Sequence, residues 1–315
     1  MGKSDYIGEN MKKFFIIIFI LLLIVLCLLF IVEKNKPVEI VENAKNKQIV
    51  QNEKSAGIKI TFLDVGQGDA SFIEFPDGEQ MLVDCAIDAR ILAKLGQIMP
   101  YYDRDIDYLV ITHPDSDHYG GCIDVLDRFE VKNIVYNGLQ KENDGFWKEF
   151  WRRVQSENAN YIEINQEQTW SIASSSIHWL FPDKEAGELP DSLKKKDNNT
   201  SLIFKLSSQN HSVLFAADAE NELEQYLLNK YKDELDSDIL KVAHHGSSGS
   251  SGRLFVEAVS PAYAIISVGK DNKFGHPSLR VLKKLERAGS QIFRTDENGD
   301  VVVEISNGVV EVYFL

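Results

Sequence analysis

The sequence predicts an α/β protein of the α+β kind. Two β-sheets pack face to face, helices cover their outer sides, and one transmembrane helix precedes them. Three observations predict this. Runs of β-branched and aromatic residues of strand length recur in both halves of the chain. Each half also carries amphipathic helical stretches, and a long apolar run stands near the N-terminus.

The apolar run "FFIIIFILLLIVLCLLFIV", residues 14–32, holds no charge and has the length of a bilayer-crossing helix. It is longer than the apolar region of a cleaved signal peptide and lacks a small-residue cleavage site. Leu26 before Cys27 is not the small residue that lipoprotein processing needs. The expectation is an uncleaved single-pass anchor, with residues 1–13 as a cytoplasmic stub. Lysines flank both sides of the span, so the charge rule for orientation is nearly silent. The short stub argues for a cell-membrane protein with its C-terminal domain extracytoplasmic. Residues 33–56 are polar and weakly periodic and read as a flexible stalk. The folded domain then occupies 57–315.

Within that domain, "IKITFLDVGQGDASFIEF" reads as strand, glycine turn, strand, and "QMLVDCA" as a third strand. "DRDIDYLVITH" ends in a strand over Tyr108–Thr112. "YGGCIDVLDRFE" has helical spacing, "KNIVYNG" is strand-like, and "KEFWRRVQ" is a helix inside a polar stretch. In the second half, "SSSIHWLFP", "TSLIFKLSS" and "HSVLFAAD" are strands, and "NELEQYLLNKYKDEL" is an amphipathic helix. "SDILKVAHH" ends a strand in paired histidines, and "AYAIISVG" is a buried strand. "HPSLRVLKKLERAG" starts a helix with proline at its first turn and closes it with glycine. "VVVEISNGVVEVYFL" is a hairpin around Asn307-Gly308.

Apolar residues make up 44% of the 315 and charged residues 26%, a normal folded composition. The chain has 48 Asp and Glu against 34 Lys and Arg, and the acidic excess lies wholly after residue 56. That excludes the broad basic surface of a tight nucleic-acid binder. A polyanionic substrate would have to draw its affinity from the site, where bound divalent cations offset the charge. Cys85 and Cys122 read equally as a disulfide or as two small buried side chains.

"THPDSDHYGG", residues 112–121, crowds two histidines and two aspartates into six positions. Burying such groups without partners is costly, and imidazole with carboxylate is a ligand set for zinc, manganese or iron. His113, Asp115, Asp117 and His118 suit two adjacent metals rather than one. Asp218 ends the apolar strand "VLFAAD" and suits a bridge between cations, or else a helix N-cap. His244 and His245 precede "GSSGSSG", whose amides and hydroxyls, with Ser247 and Ser248, can face an anion. One histidine of the pair can ligate while its neighbour serves the substrate. The residues alone leave the choice open, and the working assignment puts His244 on the metal and His245 with the substrate. His276, in "KFGHPSLR", can donate a proton or play a structural part. Asp84 can orient a ligating imidazole. Asp69 flanks the glycine turn and can line the cleft.

The motifs "FLDVGQGDA", "ITHPDSDHYGG", "VLFAADAE", "LKVAHHGSSGSS" and "FGHPSLRVLKKL", in that order, resemble the metallo-β-lactamase superfamily. Within it they resemble the hydrolase domain of the competence protein ComEC, over roughly residues 58–315. The resemblance implies an αββα sandwich with a dinuclear site on one edge. His113 and Asp115 would hold one ion, Asp117, His118 and a histidine of the 244–245 pair the other, and Asp218 would bridge. Two departures stand out. Asp115 replaces a usual histidine, and Asn199 falls about where a further histidine is common. The first site is thus richer in oxygen, which tilts two divalent ions, zinc or manganese, toward manganese.

These readings predict metal-assisted hydrolysis of a phosphodiester, with DNA first among substrates and a link to DNA uptake. His276, His245 and Asp117 would take part in the chemistry. Two other readings compete. One is an envelope phosphodiesterase acting on wall polymers or phospholipid-like groups. The other is a non-catalytic tethered partner of a transport or envelope complex.

Overall fold

The computed structural model describes residues 57–184 and 189–315. The expected stub, span 14–32 and stalk lie outside these residues. Among the described residues no helix is long and apolar enough to cross a membrane. The expectation of a single-pass membrane protein with an extracytoplasmic domain is corrected accordingly.

Two sheets form the centre. The first opens with β1 (Ile58–Phe62), β2 (Ser71–Glu74), β3 (Gln80–Val83), β4 (Asp105–Val110), β5 (Glu130–Tyr136) and β6 (Asn160–Glu163). The second is β7 (Gln168–Ile172), β8 (Ser175–Phe181), β9 (Ile203–Ser208), β10 (His211–Phe215), β11 (Ile239–Lys241), β12 (Tyr263–Ile266) and β13 (Gln291–Arg294). The chain then returns to the first sheet with β14 (Val301–Ser306) and β15 (Val309–Phe314). The first sheet runs β15-β14-β1-β2-β3-β4-β5-β6 and the second β13-β12-β11-β10-β9-β8-β7. Parallel pairings β3–β4, β4–β5, β10–β11 and β11–β12 place the ends of β3, β4, β10 and β11 on edges from which loops can converge.

Three apolar clusters define four layers. The inner faces of the sheets bury Ile60, Phe62, Trp179, Phe204 and Phe215 between them, and Phe62 of β1 stacks on Phe215 of β10 with centroids 5.9 Å apart. Helices 90–98, 122–126 and 145–156 cover the outer face of the first sheet through Ile91, Leu95, Val125, Trp147 and Phe150. Helices 221–231, 253–259 and 279–287 cover the second through Leu223, Leu227, Phe255, Val281 and Leu285. Each fully buried side chain of this size stabilises the fold by roughly 1.5–3 kcal/mol. The layers are those of the predicted αββα sandwich.

Local chemistry sets the boundaries. The hairpin joins Ser306 to Val309 across Asn307 and Gly308, both at positive φ, as its Asn-Gly turn requires. Helix 279–287 is capped by the Ser278 side chain, which accepts from the Arg280 amide, so Pro277 stands ahead of the cap rather than inside the first turn. Cys85 and Cys122 form a disulfide across 37 positions, settling the choice the sequence leaves open. Closing a loop of that length stabilises the chain by about 3–4 kcal/mol.

Candidate metal centre

β4 ends at Val110, two residues before the predicted strand end, and the chain leaves it through Thr112 into His113 and the short helix Ser116–Tyr119 that carries Asp117 and His118. Asp84 arrives from the end of neighbouring β3 at φ 59°. It accepts from the Thr112 amide at 2.9 Å, from the Thr112 hydroxyl at 2.7 Å and from His118 Nδ1 at 2.7 Å. That leaves His118 Nε2 turned inward, 3.3 Å from Asp218 Oδ1. Thr112 has given its proton to Asp84, so His113 Nδ1, at 3.1 Å, donates to the hydroxyl oxygen and turns its own Nε2 inward.

The second sheet supplies the other wall. Asp218 follows β10, and its backbone N–H donates to Ser201 Oγ at 3.3 Å. The N-cap of the following helix is Glu220, so the N-cap reading of Asp218 does not hold. After β11 the backbone takes positive φ at both His244 and His245, a conformation costly for residues with a Cβ and typical of built sites. It sends the two rings apart. His245 is buried, donates Nδ1–H to the Ser267 carbonyl at 2.9 Å, and places Nε2 3.4 Å from Asp117 Oδ2 and 3.8 Å from Asp218 Oδ2. His244 is half-buried at the lip, 3.7 Å from Asp218 Oδ2, beside Asn198 and 5.8 Å from the His276 ring. Both Nε2 atoms thus lie near Asp218, and His245 also shares a donor group with Asp117 and His118.

The donor atoms of His113, His118 and Asp218 lie within 4.8 Å of one another, as do those of Asp117, His118 and His245. The Nε2 atoms of all three histidines and Oδ1 of Asp218 are buried without a hydrogen-bond partner. Buried polar atoms are ordinarily paired, so four orphans aimed at one place fit a cation. Electrostatics agree. Burial disfavours charge on Asp218 and Asp117, yet the neighbouring imidazoles hold both carboxyls well below the usual range. Burial likewise opposes an imidazolium at His245, but Asp218, Asp69 and Asp117 push it up to about 9, and His118 is raised well above its ordinary value by Asp218 and Asp84. A field that favours a proton here favours a cation in its place.

The remaining expected residues divide. Asp115 is half-buried, with Oδ2 3.6 Å from His113 Nε2 and Oδ1 bound to Lys141. Asp69 lies beneath His245 at 3.5 Å and receives Lys241 Nζ at 2.7 Å. Asn199 is buried but accepts from the Glu220 amide at 2.9 Å, so it fastens the turn after Asp218 rather than facing the centre. The glycine-serine loop is a pinned turn. Glu224 takes the amides of Ser251 and Gly252, the Ser247 amide serves the His244 carbonyl, and Ser247 Oγ accepts from Gly249. Ser248 alone of its serines stands exposed. His276 is half-buried, with its pKa lowered by burial and by His245 and His244.

Lys241, Lys141, Glu224 and Thr112 escaped the sequence reading. Lys241 did leave a signal: a lysine inside the apolar strand "DILKVA" needs a buried partner.

Residues 63–270 match the metallo-β-lactamase superfamily. ComE operon protein 3 of Bacillus subtilis is 30% identical over 269 residues, 80% of this chain and 33% of that protein. Competence protein ComA of Neisseria gonorrhoeae is 27% identical over 253 residues, and Recombination protein 2 of Haemophilus influenzae 28% over 259. The chain spans about a third of the length of these relatives. Among solved structures, the metallo-β-lactamase fold protein YhfI of Bacillus subtilis superposes with a TM-score of 0.50 at 13% identity, covering 79% of this chain and 99% of that one, and so shares the fold.

Proposed function

The chain belongs to the metallo-β-lactamase superfamily, and from that premise we propose that it is a dinuclear metal-dependent hydrolase of phosphodiester bonds with nucleic acid as its substrate class. The observation that carries this is the convergence of three orphaned imidazole nitrogens on the orphaned oxygen of Asp218. His113 and Asp115 would hold a first ion and Asp117, His118 and His245 a second, with Asp218 within reach of both donor sets. With Asn199 spent on Glu220, the first position is rich in oxygen, which favours manganese over zinc. When bound, such cations supply Lewis acidity and a water that ionises near neutral pH.

The chain's own residues do the rest. Asp84 and Thr112 hold His118 and His113 in one tautomer each, so the donor set is in place before a cation arrives. The Ser267 carbonyl does the same for His245. His244, free of the donor set and open to the cleft, gives a proton to the leaving oxygen, with His276 beside it. Lys141 and Ser248 steady the incoming phosphate. Relatives named for competence and recombination support nucleic acid as the substrate and a transport partner as its source.

The test is hydrolysis of single-stranded DNA, double-stranded DNA and a lipid-like phosphodiester by the purified chain with manganese or zinc, beside Asp218→Ala. Metal-dependent DNA cleavage lost in the variant is the expected result. Cleavage of the lipid-like compound alone moves the substrate to the envelope. A protein that binds the ions and cleaves none of these overturns the proposal.

A further inference from the structure

The loop after β12 carries an exposed aromatic beside the cleft. Phe274 has 68% of its surface in water, an expensive placement for a ring of that size. Its inner face lies on the His276 ring, centroids 5.7 Å apart and planes 18° from parallel. His276 in turn lies 5.8 Å from His244, which is 3.7 Å from Asp218. A ladder of rings thus leads outward from the metal centre and ends on an open π face.

The loop is held in this pose. Asn272 Nδ2 donates to the carbonyls of Gly269 and His276, and its Oδ1 accepts from the His276 amide. Gly269 packs so closely on Gly66 and Gln67 that a Cβ there would lie 2.6 Å from the Gln67 nitrogen. The Gly68 position in the same turn abuts the Asp117 carbonyl, so the aromatic loop and the Asp117 loop share one support. Beneath the loop lies a cleft of about 470 Å³ with Arg90, Lys270, Gln67 and the carboxylates of Asp64 and Asp271 in its walls, a ligand-sized space. Lys270 and Lys273 precede Phe274 in the loop, both exposed, and among the described residues neither has an ion-pair partner. On a chain of net charge −14, the two lysines outweigh the single carboxylate of Asp271 between them and leave the loop locally positive beside the exposed ring.

We propose that this loop is a subsite for single-stranded nucleic acid. Phe274 stacks the base next to the phosphate held at the centre, and Lys270 and Lys273 contact the strand's following phosphates. The inference rests on the phosphodiesterase reading and names its substrate form. A stacked ring accepts any base, and unpaired strands alone present a free base face. A duplex has its faces occupied.

The experiment is fluorescence anisotropy of a fluorescein-labelled twelve-residue thymidylate oligonucleotide with phosphorothioate linkages, titrated with the full chain in manganese. Phe274→Ala weakens binding about ten-fold or more, the effect of one lost stack. Phe274→Trp retains it, and Phe274→Leu, apolar without a π face, behaves like alanine. The Lys270→Gln, Lys273→Gln double variant lowers the salt-dependence slope by about 1.4, two contacts at about 0.7 each on a single strand. No binding by the unaltered chain, equal binding by Phe274→Ala, or leucine as good as tryptophan overturns the proposal. Because the titration needs no turnover, the two readings separate. A chain that binds through Phe274 and hydrolyses nothing sinks the phosphodiesterase alone. A chain that cleaves phosphodiesters but binds regardless of residue 274 sinks the stacking subsite alone.

Discussion

His118 Nδ1 and Asp84 Oδ2 are 2.7 Å apart and both groups are buried. The aspartate also takes the amide and the hydroxyl of Thr112, so one carboxylate governs two of the three inward imidazoles. Asp84→Asn keeps the shape but loses an acceptor. Metal affinity should fall about 10–100-fold, as for other carboxylates behind ligating histidines. Calorimetric titration of manganese checks it, and an unchanged affinity would remove Asp84 from the site.

The paired histidines should separate in two assays. His245→Ala should lose about one equivalent of bound metal, because its Nε2 faces Asp117 and Asp218. His244→Ala should keep both equivalents and lose about 10²–10⁴-fold in kcat, the range for a general acid. Metal analysis of the two proteins, with kcat on DNA, decides between this assignment and its reverse.

Lys241 and Asp69 form a buried ion pair beneath the centre, 2% and 4% exposed. Removing one partner of such a pair leaves a charge unmatched, so Lys241→Met should destabilise the fold by about 3–5 kcal/mol. The Lys241→Met, Asp69→Asn double variant should recover part of that. Urea unfolding of the unaltered chain, Lys241→Met, Asp69→Asn and the double variant gives the coupling, and additive losses would contradict it.

Glu224 accepts two amides of the histidine loop, yet burial pushes its carboxyl up to about 7. The unfolded chain ionises this group near 4.5, so the folded state binds more protons between the two values. Its contribution is complete below pH 4.5 and is lost as pH rises through about 7, roughly 3 kcal/mol in total. The stability of the unaltered chain relative to Glu224→Gln should therefore decline across that window. Parallel thermal melts from pH 4.5 to 8 show the slope, and a flat difference would exclude the shift.

The sequence made the first half of the centre readable because its chemistry is contiguous. Four donors in six residues, delivered by an apolar strand, have few other uses. The ends of β10 and β11 were readable for the same reason, since Asp218 and the histidine pair interrupt apolar runs. The roles of His244 and His245 were not. Adjacent residues on ordinary extended backbone point opposite ways, but here the positive φ of both decides which ring turns in, and those torsions leave no mark in composition. The 246–252 loop looked like an open anion cradle because its partner, Glu224, comes from a helix 28 positions away from Gly252. Among the strands, β6, β7 and β13 escaped notice because all three are edge strands in which polar residues are exposed or half-buried.

The donors are shared between the two sheets. His113, Asp115, Asp117 and His118 come with the first, Asp218 and His245 with the second. During synthesis the ribosome releases the first set well before residue 245 exists. A nascent chain therefore carries an incomplete donor set, and a cation would meet all of it only once the later sheet has docked. Such a centre would act as a clasp that closes only on the completed assembly.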